Sequence, residues 1–178
     1  GVRVELPRPI WEDISKEIYE PKILYYTKQY HDLVRMFCFN SGGEVVTESV
    51  NNIITVNGHA VSNEDLKTDL SNFSILSSIS FTQPFNDPIS YLMHIAKLGN
   101  MISGGGVLVQ RFGDLINGRR SNDKRIMEST VKPTLNATPG DLSLCIPKRQ
   151  LDNIIEMIYV LDKIAPGTAN YDTLLYGI

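Results

Sequence analysis

The chain has 178 residues, of which 42% are hydrophobic, and its 17 basic and 20 acidic residues give a formal net charge of −3. This composition is typical of one or two small globular domains, and the charge is too balanced to indicate nucleic acid or an anionic membrane as a partner. There is no apolar run of 18 residues and no signal-peptide pattern, so neither a membrane span nor secretion is predicted. Cys38 and Cys145 are the only cysteines. Two isolated cysteines make neither a disulfide framework nor a zinc site, which favours a cytoplasmic location.

The first elements predicted in chain order are a strand, a helix and a second strand. Residues 2–6 alternate apolar and polar side chains, as a half-buried strand does. Pro9 can open a helix, since proline is tolerated at the first helical position, and apolar side chains then recur at helical spacing as far as Ile18. Pro21 ends this helix, and residues 22–27 are the next β-prone run.

The segment from residue 22 to 81 is predicted to be mainly antiparallel β-structure. Residues 34–40 and 44–48 flank Ser41-Gly42-Gly43, and two β-prone runs around a short Gly-rich link predict a hairpin. A third short strand, 52–56, is predicted to end at Asn57-Gly58, a pair that accepts positive φ angles.

Two further features complete this β-rich segment. Residues 63–72 are polar and predict a loop. Residues 73–81 then alternate large apolar side chains with serines, which predicts a half-buried strand.

The chain is predicted to be mainly helical from about residue 87 to 165. Asp87-Pro88 is a favourable helix start, and the helix that follows should end near Gly104–Gly106. Residues 107–116 are predicted as a strand or a short helix, because their periodicity does not decide between the two. Pro147 opens the clearest helix, whose apolar stripe ends before Pro166-Gly167.

Both ends of the chain are predicted to be strands. Residues 1–6 and 172–178 are β-prone, and neither has the polar, frayed character usual at termini. Since strand backbones need partners, we expect the two segments to lie close together and to pair. The hypothesis we favour is a domain cut from the sheet of a larger protein. The alternative is a complete small protein whose terminal strands pair with each other.

Three arginines are candidates for binding an acidic substrate. Arg111, Arg119 and Arg120 cluster in a Gly-interrupted segment, and a guanidinium can donate two parallel hydrogen bonds to a carboxylate or phosphate. The alternative is a solvated basic face, or ion pairs with Asp114 and Asp123.

Two residues near a predicted strand end are further candidates for binding substrate. His59 follows Asn57-Gly58, and a histidine in such a place can donate a proton or a hydrogen bond, although it can equally be a turn residue. The triple glycine Gly104–Gly106 lacks the spacing of a dinucleotide fingerprint and predicts a tight link instead. No pattern gives a metal site or names a catalytic residue.

Several stretches in the same order resemble one family. They are residues 34–46, Thr55-Val-Asn-Gly-His59, Gly104 to Leu115, Pro133 with Thr138-Pro-Gly-Asp-Leu142, and residues 161–167 leading to 173–177. Together they resemble the interior of the uncharacterised FAD-dependent dehydrogenases, which are bacterial and archaeal flavoproteins akin to the wider NAD(P)/FAD-dependent oxidoreductases. One stretch departs from the family pattern, Cys-x-Cys-Pro-Gly-Gly, because Asn40 and Ser41 replace its second Cys and its Pro. A thiol role at this position is therefore in doubt.

The resemblance implies where the chain sits in a larger flavoprotein. In this family FAD lies in a Rossmann-like domain whose Gly-rich segments match points outside residues 1–178. The chain would then be the inserted substrate-side domain, with residues 1–6 and 172–178 as strands of the host. It would hold no cofactor itself, and its partners would be the flavin-binding domain of the same polypeptide and a small-molecule substrate.

These observations lead to one favoured interpretation of fold and function and to two alternatives. We predict an α+β fold with an antiparallel sheet or small barrel and a helical subregion. The whole protein would be an FAD-dependent oxidoreductase, of which this part alone is inactive, and its exposed strand edges would allow self-association. The alternatives are a non-catalytic interaction module that docks through the basic segment 111–125, and a self-contained protein that binds an acidic ligand.

Overall fold

The structure, a computed structural model, describes residues 1–177. Within these residues the strands are β1 (Val2–Pro7), β2 (Ile23–Tyr26), β3 (Leu33–Ser41), β4 (Glu44–Val50), β5 (Ile53–His59), β6 (Leu70–Ser77), β7 (Leu108–Arg111), β8 (Thr138–Pro139) and β9 (Leu174–Gly177). The α-helices are α1 (Pro9–Glu17), α2 (Pro88–Ile102), α3 (Phe112–Ile116), α4 (Asp123–Glu128) and α5 (Lys148–Ile164). Seven strands form one sheet in the order β2-β3-β6-β1-β9-β7-β8, and β4 pairs with β5 in a second sheet.

The predicted α+β class is confirmed. The large sheet is open rather than a barrel, with β2 and β8 at its edges. It is mixed rather than purely antiparallel, because β8 runs parallel to β7 over Leu108↔Thr138 and Val109↔Pro139. The ordering of the chain accounts for this, since β8 follows β7 only after α3 and α4, and such a connection is long enough for a parallel return.

The two ends of the chain pair in the middle of the large sheet. β1 pairs antiparallel with β9 through Arg3↔Tyr176, Val4↔Leu175 and Glu5↔Leu174, as predicted for the two segments. The other edge of β1 pairs with β6. Both terminal strands therefore have neighbours on each side, and the free edges of the large sheet lie at β2 and β8. Residue 178 lies outside the described residues.

Both faces of the sheet are covered around its central strands. One face carries alternate residues of β1 and packs against α1 and α5 in the larger apolar cluster. In that cluster the ring of Trp11 lies 5.4 Å from Phe73, and its indole N–H donates to Thr168 Oγ1 at 3.1 Å. The opposite face meets a smaller cluster that includes Val45, Val109 and Tyr176. Polar side chains on this second face of β1 and β6, such as those of Arg3, Glu5 and Asn72, are therefore buried.

The three helices with the clearest patterns form where they are predicted. Pro9 stands at the start of α1, and Asp87 caps α2 by accepting a hydrogen bond from the Ser90 N–H at 3.0 Å. α5 follows Pro147, and its apolar stripe includes the fully buried Ile154 and Ile158. Residues 107–116, for which the sequence did not decide between strand and helix, contain one of each, because β7 is followed directly by α3.

The hairpin predicted around Ser41-Gly42-Gly43 is wrong. β3 pairs with β2 and β6, whereas β4 leaves the large sheet and pairs only with β5. The backbone turns the corner at two positions of positive φ, Cys38 (54°) inside a bulge of β3 and Gly42 (67°). The glycines therefore redirect the chain onto the second face of the sheet instead of returning it along β3.

The hairpin that the structure does contain joins β4 to β5, and its turn was not predicted from the sequence. Asn51 and Asn52 have φ angles of 52° and 60°, which are the two left-handed positions of a type I′ turn between β4 and β5. Asn57-Gly58 lies inside β5 and does not end it. The strand predicted at 73–81 also shifts, because β6 begins at Leu70 and takes the last residues of the predicted loop.

Candidate functional site

Arg111 and Arg119 converge on one buried carboxylate, Asp114. Arg111 ends β7, and Asp114 lies one turn later in α3 and is fully buried. Arg111 Nε donates to Asp114 Oδ2 at 3.0 Å, and Arg119 Nε donates to Oδ1 at 2.9 Å. Ser121 Oγ and the Tyr171 hydroxyl also donate to this carboxylate, at 2.7 and 3.1 Å. The ion pairs with Asp114 that we held as the alternative to a substrate role are therefore present.

The electrostatics of this cluster favour a charged carboxylate. Burial pushes the pKa of Asp114 upward, but the hydrogen bonds from Arg111, Ser121 and Tyr171 outweigh it and hold that pKa below its ordinary value. Arg111 also donates from Nη1 to Asp172 Oδ1 at 3.2 Å. The guanidinium of Arg111 is thus paired with two carboxylates of the same chain, those of Asp114 and Asp172.

The remaining predicted site residues lie apart from this cluster. Arg120 is exposed, and its carbonyl accepts a hydrogen bond from Arg125 Nη1 at 2.8 Å. Asn57 donates from its side-chain amide to Glu48 Oε2 at 3.0 Å across the β4–β5 hairpin. His59 is exposed at the end of β5, opposite Glu44. Within residues 1–177 neither Asn57 nor His59 shares a hydrogen bond or ion pair with the arginines.

The sequence reasoning missed a buried arginine beneath the hairpin. The side chain of Arg3 points to the second face of the sheet and is 1% exposed. It donates from Nε to Asn72 Oδ1 at 2.9 Å, from Nη1 to Ser74 Oγ at 2.9 Å and from Nη2 to the Cys38 carbonyl at 2.8 Å. Burial lowers its pKa from the ordinary arginine value. Arg3 therefore fixes the carbonyl of the residue that bulges out of β3.

A buried carboxylate, Glu5, lies two residues further along the same face. Tyr176 donates its hydroxyl proton to Glu5 Oε2 at 2.5 Å, the Thr134 N–H donates to the same oxygen at 3.2 Å, and the Thr134 hydroxyl donates to Oε1. Burial nevertheless raises the pKa of Glu5, and it raises that of Tyr176 well above the ordinary value. The signal that could have revealed both charges is the alternation of β1, which puts Arg3 and Glu5 on one face of a strand covered on both sides.

This raised pKa predicts a pH-dependent effect of Glu5→Gln. The folded state binds the Glu5 proton more tightly than the unfolded state, so this residue's contribution to stability falls as pH rises from about 4.5 through the raised pKa. The free energy of unfolding of Glu5→Gln, minus that of the wild type, should therefore increase over that range by at most about 1.4 kcal/mol per pH unit. Urea unfolding at a series of pH values measures it. The exposed Glu17→Gln is the control, and a difference for Glu5→Gln that does not change with pH would contradict the prediction.

Two cavities lined by residues of the described part of the chain lie at opposite ends of the large sheet. The first, about 310 Å³, lies between the hairpin, α2 and the start of α5, and is lined mainly by apolar residues such as Ile53, Leu92 and Ala96. The second, about 590 Å³, lies between α1 and the bulge of β3 and includes Cys38 and Asn40. The Cys-x-Cys-Pro-Gly-Gly position of the resemblance therefore lines the second cavity.

The triple glycine does not offer a phosphate cradle. The Gly104, Gly105 and Gly106 N–H groups donate to Met101 O, Asn100 O and Ser103 Oγ at 3.3, 2.7 and 3.1 Å. A phosphate loop needs such amides free and a helix after a strand, whereas here the glycines follow α2 and lead into β7. The predicted tight link is confirmed, and these residues do not fit the pyrophosphate of a dinucleotide.

Cys145 does not have the setting of a reactive thiol. Cys145 is buried, and burial raises its pKa to about 11. Cys38 is partly exposed and free. Across residues 1–177 there is no grouping of three or more His, Cys, Asp or Glu side chains able to hold a metal ion, and no helix is long and apolar enough to cross a membrane.

The fold and these sites define an α+β domain with a buried polar face and two cavities. Residues 1–178 match the family described as FAD-dependent protein, C-terminal domain-like, and the chain belongs to this family. No curated protein matches the chain. The resemblance to FAD-dependent flavoproteins is thereby confirmed, and the protein that carries this domain is FAD-dependent.

Proposed function

We propose that the chain is the substrate-side domain of an FAD-dependent oxidoreductase, a dehydrogenase that passes a hydride or electron pair between its flavin and a small-molecule substrate. The flavin supplies the redox chemistry, and this domain covers the flavin, shapes the pocket and excludes water. Its partner is the flavin-binding domain of the same polypeptide, and its location is cytoplasmic. The isolated domain is inactive.

The observation that carries the proposal is the apolar surface around the first cavity, whose lining includes Ile53, Leu92 and Ala96. Val50 and Leu92 are 52% and 54% exposed beside the cavity, which is the apolar character expected of a surface that meets another domain.

The basic segment favours this function over an interaction module. Of its five basic residues, Arg111, Arg119 and Arg125 lie within 4 Å of the Asp114 carboxylate, at 3.0, 2.9 and 3.9 Å. Because these charges are compensated inside the domain, the segment 111–125 offers a docking partner less positive charge than its sequence implies.

Leu92→Lys tests the orientation of the domain in the full-length protein. The substitution places a charge on the apolar surface proposed to face the flavin, and an unpaired ammonium is costly in such a place. We expect the dissociation constant for FAD to rise about tenfold. Reconstitution of the deflavinated protein, followed by flavin fluorescence, measures it.

The matched control is Leu24→Lys. Leu24 is 66% exposed on the edge strand β2, so the chemical change and the exposure are similar. FAD affinity should stay within about twofold of the wild type. Equal FAD dissociation constants for the two variants would contradict the proposed orientation.

The purified 178-residue chain should be colourless. A domain that supplies one wall of a pocket, and whose glycine amides are already bonded, lacks most of the affinity for a dinucleotide. Absorbance near the flavin bands after addition of FAD and desalting measures this. Stoichiometric flavin that survives desalting would contradict it.

A further inference from the structure

The lining of the apolar cavity includes the largely buried side chain of Gln150, which makes no hydrogen bond to another described residue. Gln150, in the first turn of α5, lines the cavity and is only 8% exposed. Its side-chain amide makes no hydrogen bond within residues 1–177. Of the other polar side chains in the lining, Ser77 Oγ accepts a hydrogen bond from Asn153 Nδ2 at 3.0 Å, Thr55 Oγ1 donates to the Glu48 carbonyl at 3.4 Å, and Asn51 is exposed in the hairpin turn. An amide that lines an apolar cavity and has no partner within the domain can donate a hydrogen bond to a polar atom of a ligand.

The lining carries no ionisable side chain, and burial lowers the pKa of the Gly1 amino group there to about 6, so this amine is mainly uncharged at neutral pH. Two basic residues precede Gln150 in the chain, but each has its own carboxylate partner. Lys148 pairs with Asp152 at 2.5 Å and Arg149 with Asp32 at 2.7 Å. A charged ligand would therefore enter the cavity without a counter-ion, which is unfavourable in apolar surroundings.

The size of the cavity suits a small organic molecule. Its volume of about 310 Å³ is roughly twice the ~150 Å³ that accommodates benzene in an engineered apolar cavity. Ligand pockets of this kind are apolar over most of their surface and fix orientation with a few polar groups. Gln150 is the polar group placed to do so here.

We propose that this cavity binds a neutral, mainly apolar molecule with one carbonyl or hydroxyl oxygen, which receives a hydrogen bond from the Gln150 amide. The inference rests on the proposed function, since it names the substrate class of the surface that faces the flavin. Gln150 selects for the oxygen, and the absence of charge in the lining selects against carboxylates.

Three probes of ten non-hydrogen atoms each test the proposal by calorimetric titration of the full-length protein. They are 2-nonanone, which is neutral with one carbonyl, octanoate, which is charged, and butylbenzene, which has no polar atom. We expect saturable binding of 2-nonanone at one site, and binding of octanoate at least tenfold weaker. Gln150→Leu should reduce the preference for 2-nonanone over butylbenzene by about three- to tenfold, because one hydrogen bond is lost.

Two variants that fill the cavity locate the site. Ala96→Phe and Met93→Trp each add volume from α2, and Met93→Trp serves where the buried Ala96 tolerates no enlargement. Either variant, if folded by circular dichroism, should abolish binding of 2-nonanone. Octanoate binding as tightly as 2-nonanone, no binding of any probe, or unchanged binding in a filled variant would overturn the proposal. Because FAD affinity of Leu92→Lys is measured separately, these failures are distinguishable from failure of the proposed function.

Discussion

Asp114→Ala should lower the free energy of unfolding by roughly 3–5 kcal/mol. The carboxylate is fully buried and accepts hydrogen bonds from Arg111, Arg119, Ser121 and Tyr171. Its removal leaves buried donors without acceptors and leaves Arg111, whose side chain is 11% exposed, with Asp172 as its remaining ion-pair partner. Urea unfolding at neutral pH measures the loss.

A second aspartate in the same region provides the control. Asp123 is exposed in the first turn of α4 and takes no part in the cluster. Asp123→Ala should therefore change stability by no more than about 1 kcal/mol. A similar small effect for Asp114→Ala would show that the ion pairs contribute little, and would return Arg111 to consideration as a substrate ligand.

Gly58→Ala is expected to be the second most disruptive change. A Cβ at Gly58 would lie 1.7 Å from Arg3 Nη2 and 2.4 Å from Asn72 Oδ1. Arg3 cannot move aside without breaking its bonds to Asn72, Ser74 and the Cys38 carbonyl. Overpacking together with loss of charge-assisted hydrogen bonds should cost about 3 kcal/mol or more in the free energy of unfolding.

A double-mutant cycle tests whether the clash with Arg3 causes the loss of stability in Gly58→Ala. Arg3→Met removes the guanidinium that the new methyl group meets, so Gly58→Ala should cost less in an Arg3→Met background than in the wild type. Gly106→Ala is the control, because a Cβ there meets nothing within 4 Å, and it should change stability by less than about 1 kcal/mol. Additive effects of Arg3→Met and Gly58→Ala would contradict the proposed contact.

The ion pairs of Arg111 distinguish a structural role from a substrate-binding role. Its side chain was the leading candidate for binding an acidic substrate, and that role stays a prediction. The geometry gives Arg111 a structural role, because its guanidinium pairs with both Asp114 on α3 and Asp172 just before β9. The function that we propose therefore uses the apolar cavity lined by Ile53, Leu92 and Ala96 and assigns no substrate to the arginines.

The sequence by itself determined the elements whose signals are local. Proline at the start of α1, the Asp87 cap of α2 and the apolar stripe of α5 each act through neighbouring residues within a few turns, so these helices could be predicted. The same holds for the terminal strands, since residues 2–6 alternate apolar and polar side chains and residues 172–178 are a β-prone run. Their pairing followed from the need of every strand for a partner.

The tertiary structure alone decided which strands meet and what they bury. Ser41-Gly42-Gly43 has the composition of a hairpin link, yet β4 pairs with β5, because strand pairing depends on packing against the whole sheet. Arg3 looks like an exposed residue of an alternating strand until the hairpin covers it and Asn72, 69 residues away, accepts its hydrogen bond. The cavity at Gln150 likewise exists only where β5, α2 and α5 come together. Such contacts join residues far apart in the chain, and no local pattern encodes the distance between them.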